Sequence, residues 1–189
     1  MNGSVVMQFS RRKAVIVGAS TLVGAWGAAA HALEPGGDGW FHTGSGVRVK
    51  TVVFVEIRAY TIHHFMKTLP SSRSKQAVID LDTPKRLSFQ MLRDVGADKI
   101  KKMFRDAYAL NGYADAAAIG AFVAVFTADL KEKQVTTISY DSASQATTVA
   151  TQGGGTATLR GLGFMRATWS LWFGKTDQPQ LGDALISRI

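Results

Sequence analysis

Few residue patterns in this chain could do chemistry, and each has a structural competitor. His63-His64 is the pair that suggests a metal site. Adjacent residues on an extended strand point to opposite faces, so the two imidazoles cannot chelate one ion, and no metal is expected. Gly153-Gly154-Gly155 and Gly161-Leu162-Gly163 resemble phosphate loops in glycine content only. Neither runs into Gly-Lys-Ser/Thr or a dinucleotide fingerprint, so turn flexibility accounts for them and no cofactor is implied. No Gly-x-Ser-x-Gly elbow presents a serine nucleophile, although counting alone does not exclude a dispersed Ser-His-Asp triad. The chain has no Cys, which removes thiolate nucleophiles, Cys-ligated zinc and iron–sulfur clusters. Lys99, Lys101, Lys102 and Arg105 read as a solvated helix face, and Trp169 with Trp172 as core packing. Arg48 and Tyr60 remain. In the stretch Val47 to Met66 the polar residues Arg48, Lys50, Glu56 and Arg58 all fall on even numbers. A period of two puts them on one face with Tyr60. The competing reading makes Arg48 a surface charge and Tyr60 a core aromatic with a wet hydroxyl.

The elements that must position these residues follow from patterning. Val47–Met66 is rich in β-branched and aromatic residues and lacks Gly and Pro, so it reads as one long bent strand or two consecutive ones. The glycines of Pro35–Gly39 and of Gly44-Ser45-Gly46 give the segment before it a turn character. A short helix is expected over 71–80 and a strand over 85–92, where Leu87, Phe89 and Met91 alternate with Arg86, Ser88 and Gln90. Gly96 opens a helix whose Ile100, Met103, Phe104 and Ala107 have the spacing of a buried stripe, and Asn111-Gly112 ends it. A second helix is expected over 115–128. Strands over 133–140 and 146–151 join in a hairpin at Asp141–Ser144, and 157–159 adds a short edge. Helices over 164–173 and 181–189 complete the chain. Antiparallel strand groups and a consecutive helix pair point to an α+β fold, one sheet with helices on one face.

The chain has 189 residues, 22 Lys+Arg, 14 Asp+Glu and a net charge of +8, an ordinary globular composition. Residues 1–32 read as a secretory signal. Arg11, Arg12 and Lys13 precede an apolar run from Ala14 to Ala30, which ends in Ala30-His31-Ala32 as a signal peptidase site would. The run is short for a bilayer span, so cleavage after Ala32 is expected over a permanent anchor. Ser10-Arg11-Arg12 has a faint likeness to a twin-arginine signal, but an ordinary basic segment accounts for it. Cleavage removes three cations and no acid, so the mature excess is +5 rather than +8. That is a solubility feature and not a nucleic-acid footprint. An exported chain, periplasmic in a bacterium, is the expectation, and the absence of thiols fits it.

Gly44-Ser45-Gly46-Val47-Arg48 leading into a long apolar strand resembles the chalcone-isomerase-like superfamily. So does the order that follows: Arg58-Ala59-Tyr60, a strand, a helix pair near Asp98-Lys99, a hairpin, and a helix ending in Phe173-Gly174. Trp172-Phe173-Gly174 with Leu181-Gly182-Asp183-Ala184-Leu185 resembles its exported bacterial branch. The resemblance spans about 40–189 and implies an open-faced β-sandwich with a ligand cleft between sheet and helices. Within that family some members close a flavanone ring and others hold a fatty acid. The family's Arg falls on Arg48, and Tyr60 has the residue type of the fatty-acid binders. The isomerases' Tyr, Asn and Thr/Ser positions fall near Gly96, Met103 and Leu171, which offer no polar side chain.

The resemblance therefore implies a non-catalytic binder, with Arg48 and Tyr60 gripping the carboxylate of a small amphipathic ligand. An intramolecular lyase on an unknown substrate, with Arg48 as its catalytic residue, and a structural or partner-binding envelope protein with a cleft filled by side chains are the rival readings.

Overall fold

A computed structural model describes Met1 and residues 33–189; the expected signal over 1–32 otherwise lies outside the described residues. Six strands follow one another across a single antiparallel sheet in the order of the chain. They are β1 (Phe41–Val52), β2 (Val55–Met66), β3 (Lys85–Met91), β4 (Val135–Asp141), β5 (Ala146–Thr151) and β6 (Thr156–Arg160). Helices α1 (Lys75–Asp80), α2 (Ala97–Leu110), α3 (Ala116–Ala124), α4 (Leu162–Phe173) and α5 (Pro179–Ala184) intervene. Alternation decides which face they cover. Tyr60, Ile62, His64 and Met66 on β2, Leu87, Phe89 and Met91 on β3, and Ile138, Tyr140 and Val149 beyond them are buried. Their odd-numbered or even-numbered partners stay partly open, so the sheet has one covered and one open face. The expected α+β architecture, a large antiparallel sheet with a helical layer, is the observed one.

α4 fills the centre of that layer. Phe164, Met165, Trp169, Leu171, Trp172 and Phe173 are all buried. α2 adds Ile100, Phe104 and Tyr108, and Phe104 stacks on Phe126 with ring centres 5.4 Å apart. The buried line of α2 thus runs through Tyr108, with Met103 and Ala107 at its margin. Asn111 and Gly112 end the helix, the glycine at φ +77° where a side chain would be strained.

The structure corrects four sequence expectations. Gly44-Ser45-Gly46 is not a turn but the middle of β1. A Cβ on Gly44 would strike the Ala184 carbonyl, and one on Gly46 would come within 2.6 Å of Leu181 Cδ1. The glycines let the C-terminal segment lie directly on the strand. The stretch expected to begin at Val47 begins earlier, at Phe41; of its two readings the two-strand one holds, folded back at Val53-Phe54, both at positive φ. The helix expected over 115–128 stops at Ala124, because the Val125 carbonyl turns to accept from Gly155 N at 2.8 Å. The helix expected over 181–189 is the short α5. Past it the chain makes turns that dock on β1, where Arg188 N donates to the Thr43 carbonyl at 3.0 Å.

Two buried titratable side chains are held by complete sets of partners. Trp169 Nε1 donates to His64 Nε2 at 3.0 Å. This makes Nε2 the acceptor, so Nδ1 carries the proton and faces Thr43 Oγ1 at 2.7 Å. Thr43 donates on to the Leu185 carbonyl at 2.8 Å. Burial, helped by the Lys85 charge, pushes the imidazole down to about 3. Lys85, expected as the first residue of a strand, is fully buried. Its Nζ donates to the carbonyls of Val78 at 2.6 Å, Ile79 at 3.1 Å and Leu81 at 3.0 Å. Three donors meet three acceptors, so the cation is satisfied, although burial lowers it to about 7.

Gly44→Ala should displace α5 and the C-terminal turns from β1. A cost of about 1–3 kcal/mol is expected, read as a fall of several degrees in melting temperature. The exposed neighbour in Ser45→Ala should melt like wild type, and equal melting of both variants would contradict the close contact. The depressed His64 sets an acid limit. The unfolded imidazole takes a proton near 6.5 and the folded one only near 3, so its stabilisation is full above 6.5 and is lost as pH falls toward 3. Thermal melts between pH 7 and 4 should show a shallower slope for His64→Gln than for wild type; parallel slopes would remove His64 as the cause.

Candidate functional site

Arg48 and Tyr60 are direct cross-strand partners on β1 and β2. Cross-strand partners share a face, so the two side chains meet beneath the helices. Parity along one strand predicted the shared face; hairpin pairing is what produces it. The same expectation fails for Arg58 and Glu56. Between Arg48 and Val49 the register shifts, and Arg58 lies opposite Val49 while Ala59 has no partner of its own. An extra residue in one strand reverses its alternation, so Arg58 and Glu56 pass to the other face. Lys50 stays on the inner side, opposite Ile57.

The two side chains line a cleft of about 250 Å³ between the β1–β2 hairpin, α2, α4 and the loop before α5. Its apolar wall includes Met103, Phe104, Leu110, Leu171 and Trp172, and Lys50, Lys175, Asp106 and Asp177 stand with Arg48 around it. Met103 and Leu171, the positions that resemblance assigned to lost polar residues, are both in that wall. Gly96 is instead the N-cap of α2.

The Tyr60 phenol sits at the floor. It accepts from Trp172 Nε1 at 3.0 Å, which leaves its own proton without an acceptor among the described residues. Burial pushes this hydroxyl up, against the opposing pull of the Trp172 donor and Arg48. It is therefore a neutral hydroxyl on a residue that lines the cleft, free to donate to a group placed there.

Arg48 is not free. Its Nη2 lies 2.6 Å from Asp177 Oδ1, with the Arg side chain 15% exposed and the Asp 56%. Nη1 reaches Gln178 Oε1 at 3.2 Å. Partial burial raises Asp177, but the charge and hydrogen bond of Arg48, with Lys50 behind it, overcome this and hold its carboxyl below the usual range. Sequence reading missed Asp177 and Gln178, which stand 129 and 130 residues beyond Arg48. The one signal was a short polar break, Lys175–Gln178, between an apolar helix and a proline.

That loop is pinned at both ends. The Asn111 side chain donates to the Lys175 carbonyl at 3.1 Å and accepts from Lys175 N at 2.8 Å. The Gln178 amide accepts from Val49 N at 2.9 Å and donates to the Val47 carbonyl at 3.0 Å. β1 is an edge strand, and Gln178 pairs with it as a neighbouring strand's peptide would. Asp177 is thus delivered to Arg48 by a fixed frame. His63 and His64 point to opposite faces as their adjacency requires, His63 exposed and His64 buried. Among the described residues no group of three or more acidic or His side chains could hold a metal ion.

A guanidinium, a phenol donor and an apolar wall, set between an antiparallel sheet and a helical layer, can hold an anionic group with a greasy attachment. Comparison with known proteins places the chain in a family. The curated proteins give no significant match. Among solved structures the fold is similar to that of a fatty-acid binding protein from Arabidopsis thaliana. The two share 14% identity and a TM-score of 0.63, over 80% of this chain and 87% of the other. A family model described as chalcone isomerase-like matches residues 29–185, a span that holds all six strands and all five helices. With that span and this architecture, the chain belongs to the chalcone isomerase-like family.

Proposed function

We propose that this protein binds a small amphipathic carboxylate, such as a fatty acid, in the Arg48–Tyr60 cleft and does not catalyse ring closure. The observation that carries this reading is the Arg48–Asp177 pair. Asp177 rests its own carboxylate on the guanidinium, in the position a ligand head group would take. A cation set into a cleft wall needs an anionic partner, and Asp177 supplies one from within the chain. Being more than half exposed, Asp177 can swing into water at little cost. An incoming carboxylate would replace it on Arg48 and add the Tyr60 proton as a second donor. The exchange trades one ion pair for another, so no guanidinium is stranded. The apolar tail would lie along Met103, Phe104, Leu171 and Trp172.

Cleft size limits the ligand. Sites that enclose drug-sized molecules run from roughly 300 to 1,000 Å³, and this one has about 250 Å³. A short or medium chain would fit enclosed, and a long one would extend past the rim. The wall also supports a non-catalytic role. Closing a ring onto an enone needs several donors converging on the developing charge, and Met103 and Leu171 supply none. The Arabidopsis protein is a fatty-acid binding protein by its description, which favours the carboxylate over other amphiphiles.

Displacement of a fluorescent fatty acid tests the exchange. Asp177→Asn removes the competitor and should tighten binding about two- to fivefold, the worth of a half-exposed ion pair. Arg48→Gln should weaken it by about tenfold or more, the loss of a charge-assisted hydrogen bond. Affinities unchanged in both variants would eliminate this head-group site. We also propose export, on the segment 1–32. The N-terminal sequence of protein recovered from the envelope should begin at Leu33, and an intact Met1 end there would refute cleavage.

A further inference from the structure

The β1–β2 hairpin ends in a turn that folding does not favour. Val53 and Phe54 occupy its two central positions at φ 45° and 66°, with Val52 and Val55 paired on either side. Two-residue turns of this kind favour Asn-Gly, because both positions need positive φ. A β-branched valine and a phenylalanine are among the least suited residues there. Nothing in the fold repays the strain, since Val53 is 83% exposed, Phe54 98% and Val55 61%. Among the described residues the other exposed large hydrophobics are Met1 and Leu110. Cations flank the tip on both faces of the hairpin. Lys50 lies on the cleft side, where its Nζ is 3.7 Å from the half-exposed Asp177 carboxylate, and Arg58 lies on the other face with Glu56.

We infer that this tip docks on an anionic lipid surface, with Val53, Phe54 and Val55 entering the headgroup layer and Lys50 and Arg58 resting on its phosphates. For Lys50 the lipid phosphates replace the Asp177 carboxylate, at the cost of one exposed ion pair. An apolar wedge collared by cations suits that interface: the side chains leave water while the charges stay among the headgroups. A protein partner fits less well. A stable protein interface needs roughly 800 Å² on each side, and three side chains at a hairpin apex do not present that. Lys50 also lines the cleft, so a seated tip would hold the cleft mouth at the surface where amphipathic carboxylates partition. That consequence rests on the binding reading above; the docking does not.

The chain has no cysteine, so one introduced thiol reports one place in the full-length protein, however the rest of the chain meets a vesicle. Val53→Cys labelled with an environment-sensitive nitrobenzoxadiazole should shift to the blue and brighten on mixed phosphatidylglycerol–phosphatidylcholine vesicles. It should do so weakly on phosphatidylcholine alone. Ala143→Cys, in the β4–β5 turn at the opposite end of the sheet, should not respond. Adding Phe54→Asp to the labelled Val53→Cys protein should abolish the response, and adding Arg58→Gln should lower partitioning about fivefold, the worth of one cation near an anionic surface. Silence at position 53, or an equal response at 53 and 143 or on both vesicle types, would overturn the inference. Fatty-acid displacement by the same proteins without vesicles separates the two ideas. Normal displacement with a silent tip rejects the docking alone, and a responsive tip with no displacement rejects the binding alone.

Discussion

A guanidinium set into a partly dry cleft wall needs an anion, and this constraint organises the structure around the site. Arg48 is 15% exposed and sits beside a buried phenol. Left alone it would lose hydration without recompense. The chain answers with a carboxylate from 129 residues away. Delivering it requires α4 to end at Gly174, the following loop to be clamped by Asn111, and Gln178 to pair with the edge of β1. It also requires α5 to lie on β1, which is possible only over glycines at 44 and 46. The family-like Gly-Ser-Gly-Val-Arg stretch is therefore one mechanical unit: its glycines admit the segment whose Asp177 neutralises its arginine.

The strength of this pair matters less than its reversibility. A fully buried ion pair is hard to open, because breaking it strands a charge. A fully exposed one confers little and restrains nothing. Arg48 and Asp177 lie between these limits, the arginine held and the aspartate half in water. The asymmetry fixes which partner can leave. Gln178 keeps contact with Arg48 from a backbone-anchored position, so the guanidinium holds its orientation when Asp177 departs. Tyr60 is likewise oriented by Trp172, whose N–H occupies one lone pair of the phenol oxygen and leaves the phenol proton available to another acceptor.

Much of the fold was legible in the sequence because sheets and helices write short-range periods. The alternation Leu87, Phe89, Met91 and the stripe Ile100, Phe104 announced which faces would be buried. Elements failed where one residue changed the count or one contact changed the geometry. The extra Ala59 reverses the parity of β2, so Arg58 leaves the face that period two assigned to it. The turn at Val53-Phe54 carries none of the residues that mark turns. Gly44 and Gly46 spelled a turn but serve as bare backbone beneath α5. At the site, Arg48 and Tyr60 were reachable because they sit on one hairpin. Asp177 and Gln178 were not, since no local pattern records a contact between the two ends of a domain.

Residues that break local rules divide into two kinds, and the division bears on function. Buried Lys85 and His64 violate the expectation that charged and titratable groups stay wet. Yet every Lys85 proton meets a carbonyl, and both His64 nitrogens are engaged by Trp169 and Thr43. Their rule-breaking is closed within the fold, so they act as structural pins. Tyr60 and the Val53-Phe54 turn differ. The phenol has a proton with no acceptor among the described residues, and the turn carries strain and exposed apolar surface that no contact offsets. Incomplete satisfaction of that sort persists when something outside the chain completes it. Both places lie on the same hairpin, the tip and the cleft side joined by Lys50. A ligand that is an anion at one end and hydrocarbon at the other would complete the cleft, and a surface made of the same chemistry would complete the tip.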